Sequence, residues 1–279
     1  MTSSGVQTGW RAELALDFEY RNNKTVLTRN LHQGPLQVQK ALHPEGSAVC
    51  HVVVLHPPGG IAGGDELAIS ASCSAGTRVL LTTPGATKWY RSEARIATQR
   101  VRAELGSDSI LEWLPRESIL FNGSHASMGL DVDLAGEAKF FGWEILVFGR
   151  HASGERWSDG SLRLQTRLRR AGRLLWSENA NLDARNGFAQ SPVGLRGFSV
   201  CGTVMMAGYE IDDALLTQCR DVRPTGAAEF GITRMPSLLI ARYLGHSSQQ
   251  AFAWFTALWE VCRQRLVGTP ACRPRVWAC

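Results

Sequence analysis

The sequence predicts a mainly β protein: a body of many short strands over about residues 1–210, then a helical and mixed C-terminal part over about 211–279. Three observations predict it. Apolar and polar residues alternate with the period of two of a half-buried strand. Runs rich in β-branched and aromatic residues follow one another at short spacing, with no helical pattern between them. A helical apolar stripe occurs only near the C-terminus.

The alternation begins in ELALDFEY (13–20), where Leu14, Leu16, Phe18 and Tyr20 point one way and Glu13, Asp17 and Glu19 the other. The β-rich runs TVLTRNL, CHVVVL, ELAISAS and TRVLLTT follow. TQRVRAEL (98–105) alternates again, with Val101, Ala103 and Leu105 against Arg100, Arg102 and Glu104. SILEWL and FFGWEILVF are more continuously apolar. LRLQTRLR (162–169) leads through the turn Ala171-Gly172 to RLLW, and FSVCGTVMMAGY is the last long run.

DDALLTQCRD (212–221) predicts a helix whose opening acids suit the positive end of its dipole. Ser247 with Gln250 makes a capping-box pattern before a longer helix that ends at Gly268. Phe252, Phe255, Trp259, Cys262 and Leu266 fall on one face of it. That face is expected to cover the sheet, the alternative being a partner-binding helix. With no internal repeat, low-complexity tract or linker evident, residues 1–279 are read as a single domain.

A chain of 279 residues with 44% hydrophobic and 20% charged content suits a soluble globular protein. No apolar stretch reaches the roughly 18–20 residues of a membrane-spanning helix, and the N-terminus lacks the pattern of a secretion signal. Seven scattered cysteines without a C-x-x-C are expected to be reduced, cytoplasmic and mostly buried. The net charge of +5 comes from 26 arginines against 4 lysines, spread along the chain. Spread arginines suit solvated faces and protein contacts more than a nucleic-acid footprint.

HPPGGIAGGD (56–65) packs four glycines and two prolines between an apolar run and a polar one. Glycine lets a backbone turn sharply or approach a neighbour closely. The spacing from Gly59 to Gly64 fits a phosphate loop, but Asp65 follows where that loop needs lysine, and a carboxylate repels phosphate. G-x-G-x-x-G, G-x-S-x-G and H-E-x-x-H are all absent. The alternatives for Asp65 are a turn residue capping local amides and a turn residue that also lines a polar interior.

HPPGGIAGGD, TTPGATKWYRS (82–92) and LEWLPRESILF (111–121) closely resemble the urease accessory protein family called UreD or UreH. GPLQVQKALHPE (34–45), GRHASGERWSDG (149–160) and the terminal PRVW (274–277) fit other segments of that family, in order along nearly the whole chain. The motif residues are His56, Pro57, Pro58, Gly59, Gly60, Gly63, Gly64, Asp65, Thr83, Pro84, Lys88, Tyr90, Arg91, Pro274, Arg275 and Trp277. The resemblance implies a β-helical body with a few C-terminal helices and a non-enzymatic role in assembling the nickel centre of urease. It implies a scaffold between apo-urease, UreF and the GTPase UreG, with UreE acting indirectly, in a two-fold symmetric complex. It also implies an internal water-filled passage for nickel in transit, with no tightly bound cofactor.

An ion that must move on should meet weak, oxygen-rich sites, because nickel binds firmly to nitrogen and sulfur. Glu144 fits as a lone carboxylate in FFGWEILVF, where it must be paired with arginine or bathed in water. Glu178 in RLLWSENANL has a similar setting, and Asp65 and Thr87 complete the expected passage residues. For each, an arginine pair is the alternative. Two competing functions are a β-helical hydrolase using carboxylates such as Glu144 and Glu178, and an arginine-rich nucleic-acid binder.

Overall fold

The computed structural model describes residues 9–278, apart from the side chain of Leu266. The Leu266 side chain of the helical stripe, Cys279 and residues 1–8 of the segment read against a secretion signal therefore lie outside the described residues.

Strands β1 (Arg11–Arg21) and β2 (Lys24–Gln33) form a hairpin over Asn22-Asn23. Both asparagines have positive φ, 49° and 58°, as a twist-matched hairpin turn requires. After the short β3 (Gln37–Val38) the chain winds as a β-solenoid of about four turns. β4 (Val49–Leu55) and β5 (Gly60–Ile61) complete the turn begun by β1. The next two turns are β6 (Glu66–Cys73), β7 (Arg78–Thr82) and β8 (Thr87–Trp89), then β9 (Ala97–Leu105), β10 (Ile110–Leu114) and β11 (Ser118–Leu120). The last is β12 (Ser124–Leu134) and β13 (Lys139–Phe148).

Each turn thus supplies a strand to each of two facing sheets. β1, β6, β9 and β12 stack in parallel in the first sheet, extended by β14 (Gly160–Arg170) and its antiparallel partner β15 (Arg173–Asp183). β4, β7, β10 and β13 stack in parallel in the second. That sheet is extended by antiparallel β16 (Val200–Ala207), β17 (Glu229–Met235) and β18 (Leu238–Gly245). The register carries Glu66 to Thr98 and Thr98 to Ser127, so the backbone repeats with a period of roughly thirty residues. No internal repeat is evident in the sequence. What recurs is geometry: the corners after β6, β9 and β12 each hold one positive-φ residue, but these are Gly76, Asp108 and Gly136.

The two sheets explain the two kinds of strand. The first sheet has one covered face, so β6 alternates strictly between exposed and buried residues. The second is covered on both faces, so every residue of β10 is buried. Its inner side meets the first sheet through residues such as Leu81, Leu111, Phe140 and Leu146. Its outer side carries Phe141, Trp143, Ile145 and Met206 beneath the helices α1 (Asp213–Asp221) and α2 (Ser248–Val267).

The helix ends follow the sequence. Asp212 caps α1 by accepting the Leu215 amide at 2.7 Å, and Ser247 caps α2 by accepting the Gln250 amide at 3.2 Å. Gly268 closes α2 at φ 77°. Phe255, Trp259 and Cys262 are buried against the sheet, so this face covers the body; full burial of one such large side chain stabilises by about 1.5–3 kcal/mol. Arg263, fully buried on α2, holds the helix to the body. It donates to Glu112 of β10 at 2.9 Å and to both oxygens of Glu45 at 2.6 and 2.8 Å. Trp259 Nε1 also donates to Glu112, and His51 Nε2 lies 2.5 Å from Glu45. No described helix is long and apolar enough to cross a membrane.

Candidate functional site: the space between the sheets

What approaches the glycine stretch is the next turn of the solenoid. Gly60 pairs with Lys88, and a Cβ on Gly60 would stand 2.5 Å from the Tyr90 ring. At Gly63 a Cβ would lie 2.2 Å from Ser92 Cβ. Asp65 closes this turn: its two oxygens accept the Trp10 and Ala62 amides, each at 2.8 Å. It lines neither of the cavities described next.

An outer cavity of about 160 Å³ opens beside His56, Gly59 and Pro84. An inner cavity of about 50 Å³ lies deeper and includes Glu144, Met128 and Ser118 in its wall. The inner space has room for about three waters. Thr83, Thr87 and Gln99 line both, so the two cavities adjoin at these side chains. The arrangement follows from strand alternation: Gln99 and Met128 project inward from β9 and β12, and Glu144 from β13 opposite.

The polarity of this space is unusual for a protein core. His56 Nδ1 is buried without a hydrogen-bond partner, and burial holds its pKa below the usual imidazole value against the pull of Asp65. Thr83 Oγ1 accepts the Arg116 amide at 2.9 Å, fixing the wall of both cavities. Glu144 is half-buried and lines the inner cavity. Burial first, then the charge of Glu178, pushes its carboxyl up to about 8 against the pull of Arg242. Glu178 reaches in from β15 and forms a two-pronged pair with Arg242 of β18, at 2.7 and 3.0 Å.

The structure therefore brings Thr87 and Glu144 into one cavity, sets Glu178 beyond Glu144 in an arginine pair, and leaves Asp65 apart. Cys201, Thr203 and Arg242 share the setting of Glu144, and sequence reading missed them along with Gln99. Their signal was inward position in a strand, which is visible only once the facing sheet is known. The Cys201 thiol is pushed up to about 12, by burial first and then by Glu144, so it stays protonated near neutral pH. Among the described residues no group of three or more histidine, cysteine, aspartate or glutamate side chains is placed to hold a metal ion. The interior offers scattered oxygen atoms and no cage.

The remaining motif residues surround this space. Lys88, Tyr90 and Arg91 are exposed on the short side of the solenoid, with the Arg91 stem against Gly123. Pro57 and Pro58 are exposed beside the outer cavity. Pro274 is buried, Arg275 is exposed, and Trp277 packs its ring near Trp143, Phe252 and Trp259. Trp277 Nε1 donates to Thr82 at 2.8 Å, so the PRVW segment is tied to the end of β7, one residue before Thr83.

The family described as UreD urease accessory protein matches residues 10–278. The chain belongs to this family. Among curated relatives, "Urease accessory protein UreD" of Methylobacillus flagellatus is 46% identical over 276 residues, covering 99% of this chain and 97% of that protein. The UreD protein of Dechloromonas aromatica is 48% identical over 271 residues, covering 96% and 94%. That of Azoarcus is 45% identical, covering 97% and 95%. These relatives are named as accessory proteins and not as catalysts. Among the described residues several exposed or half-buried arginines have acidic neighbours, as in Arg11–Glu13, Arg102–Glu104 and Arg167–Asp131.

Proposed function

We propose that this chain acts in the cytoplasm as a non-enzymatic scaffold of urease maturation and carries nickel ions between its two sheets on their way to the apoprotein. It would link apo-urease to UreF and UreG within a two-fold symmetric complex, with UreE supplying nickel indirectly. It has no call on nucleic acid or membrane. Nickel is cargo in this reading and no cofactor stays bound.

The observation that carries the conduit reading is the pair of adjoining cavities that ends on Glu144. A hydrated ion entering by His56 would pass Thr83, Thr87 and Gln99 and meet one carboxyl group at the far end. Each offers one or two oxygens, which suits brief residence more than capture. The hydrolase alternative loses support because Glu178 has both oxygens committed to Arg242.

The test is Glu144→Leu in cells that assemble urease. The variant should co-purify with its partners in wild-type amounts, while the nickel content of urease falls at least several-fold. Full nickel loading with Glu144→Leu would remove the conduit role and leave a scaffold.

A further inference from the structure

Beyond Glu144 the row of inward side chains continues. The register sets Thr203 beside Glu144 and Arg242 beside Thr203. Arg242 Nη1 donates to Thr203 Oγ1 at 2.8 Å as well as to Glu178, so this one guanidinium spans from the second sheet to the first. Its side chain is 44% exposed and lies near the Trp176 ring, with solvent on its outer side. Between the inner cavity and that solvent stands a cation.

The charged and titratable groups facing Glu144 are Glu178 from β15, Arg242 from β18 and the protonated thiol of Cys201 from β16, with Arg116 in the wall of the inner cavity. A guanidinium does not lose its proton. Fixed beside Glu144 at the edge of this space, it repels a divalent cation, as fixed positive groups do in pores. It also engages both oxygens of Glu178 and offsets that carboxylate's charge. Arg242 is half-exposed next to Glu144 and has its charge paired with Glu178.

We propose that Arg242 is a charge gate that closes the Glu144 end of the passage to divalent cations and opens when its guanidinium swings out to solvent and releases Glu178. The proposal rests on the conduit reading above and adds its control. In the open state Glu178 and Glu144 face the ion together.

Equilibrium dialysis of the full-length chain against Ni²⁺ alone at neutral pH tests the gate, with circular dichroism to verify folding. Arg242→Gln, which keeps hydrogen-bonding capacity and loses the charge, should bind Ni²⁺ about ten-fold more tightly than wild type. Adding Glu144→Gln should abolish the gain. Arg242→Lys, which keeps the charge, should bind like wild type. If the glutamine variant does not fold, Arg242→Met, which retains the stem beside Trp176, carries the same expectations. No gain on loss of the charge, or an equal gain with lysine, overturns the gate. Failure of the conduit itself reads out separately, as full nickel delivery to urease by Glu144→Leu.

Discussion

The molecule buries acidic and basic side chains in two places, and it treats them in opposite ways. Beneath α2, Arg263 meets Glu112 and Glu45, Trp259 adds an indole N–H to Glu112, and His51 lies against Glu45. Burial alone would raise Glu45, but the hydrogen bonds from His51 and Arg263 outweigh it and hold its pKa below the usual value. Between the sheets, Glu144 has no such partner. Its carboxyl is pushed up to about 8, and Arg242, whose charge pulls against that shift, is paired with Glu178. The first group is buried and multiply hydrogen-bonded. The second borders a cavity with room for water. Full compensation fixes a helix in place, whereas an undercompensated carboxyl beside water is free to exchange a proton or an ion.

The largest effect expected from this contrast is at Arg263. Arg263→Ala leaves Glu45 and Glu112 buried without their main partner, which costs about 3–5 kcal/mol, and urea denaturation should show most of the stability lost. The same change at Arg242 removes a pair open to solvent on one side and should cost roughly 1 kcal/mol or less. Equal losses at the two arginines would break the distinction between them.

How far these two places were legible depends on how local their signals are. The alternation of β1, β9 and β14 was readable because one sheet face meets solvent. The helix ends were readable because Asp212 and Ser247 act within three residues of themselves. The solenoid period was not, since it lives in backbone geometry and its corners use different residues. Glu144 stood out as a lone carboxylate in an apolar strand, and Thr87 lay within a recognisable motif. Asp65 carried the same kind of signal and proved to hold a turn, because its two amide partners belong to Ala62 nearby and to Trp10 on β1's approach. Arg242 and Glu178 meet across 64 residues of sequence, and Arg263 and Glu45 across 218. No local pattern announces such pairs.

A smaller effect sharpens the comparison through pH. Glu144 has a folded-state pKa of about 8 against an ordinary carboxyl value of 4.5. A raised pKa means that its stabilising contribution is fully present below about 4.5 and is lost as pH rises through about 8. Unfolding free energy measured across this window should therefore contain a falling component that Glu144→Gln removes. Replacing the knot's Glu45 should leave that component intact if the residual fold permits the measurement. A Glu144→Gln profile parallel to wild type would place Glu144 in an environment no different from water.

The smallest expected effect is at Thr87, where the two cavities adjoin. Thr87→Val keeps the branched shape that suits β8 and removes only a hydroxyl. Stability should change by less than about 1 kcal/mol, since no large group is lost and no charge is left unpaired. If the hydroxyl helps hold the water that an ion must share, nickel content of urease should fall by roughly two-fold, the worth of a fraction of one hydrogen bond. Thr87→Ser, which keeps the oxygen and drops the methyl, should deliver nickel like wild type. Measured side by side in one maturation assay, these two variants separate chemistry from shape at the join. A loss with serine equal to that with valine would mean that packing around β8, and not the oxygen, sets the effect.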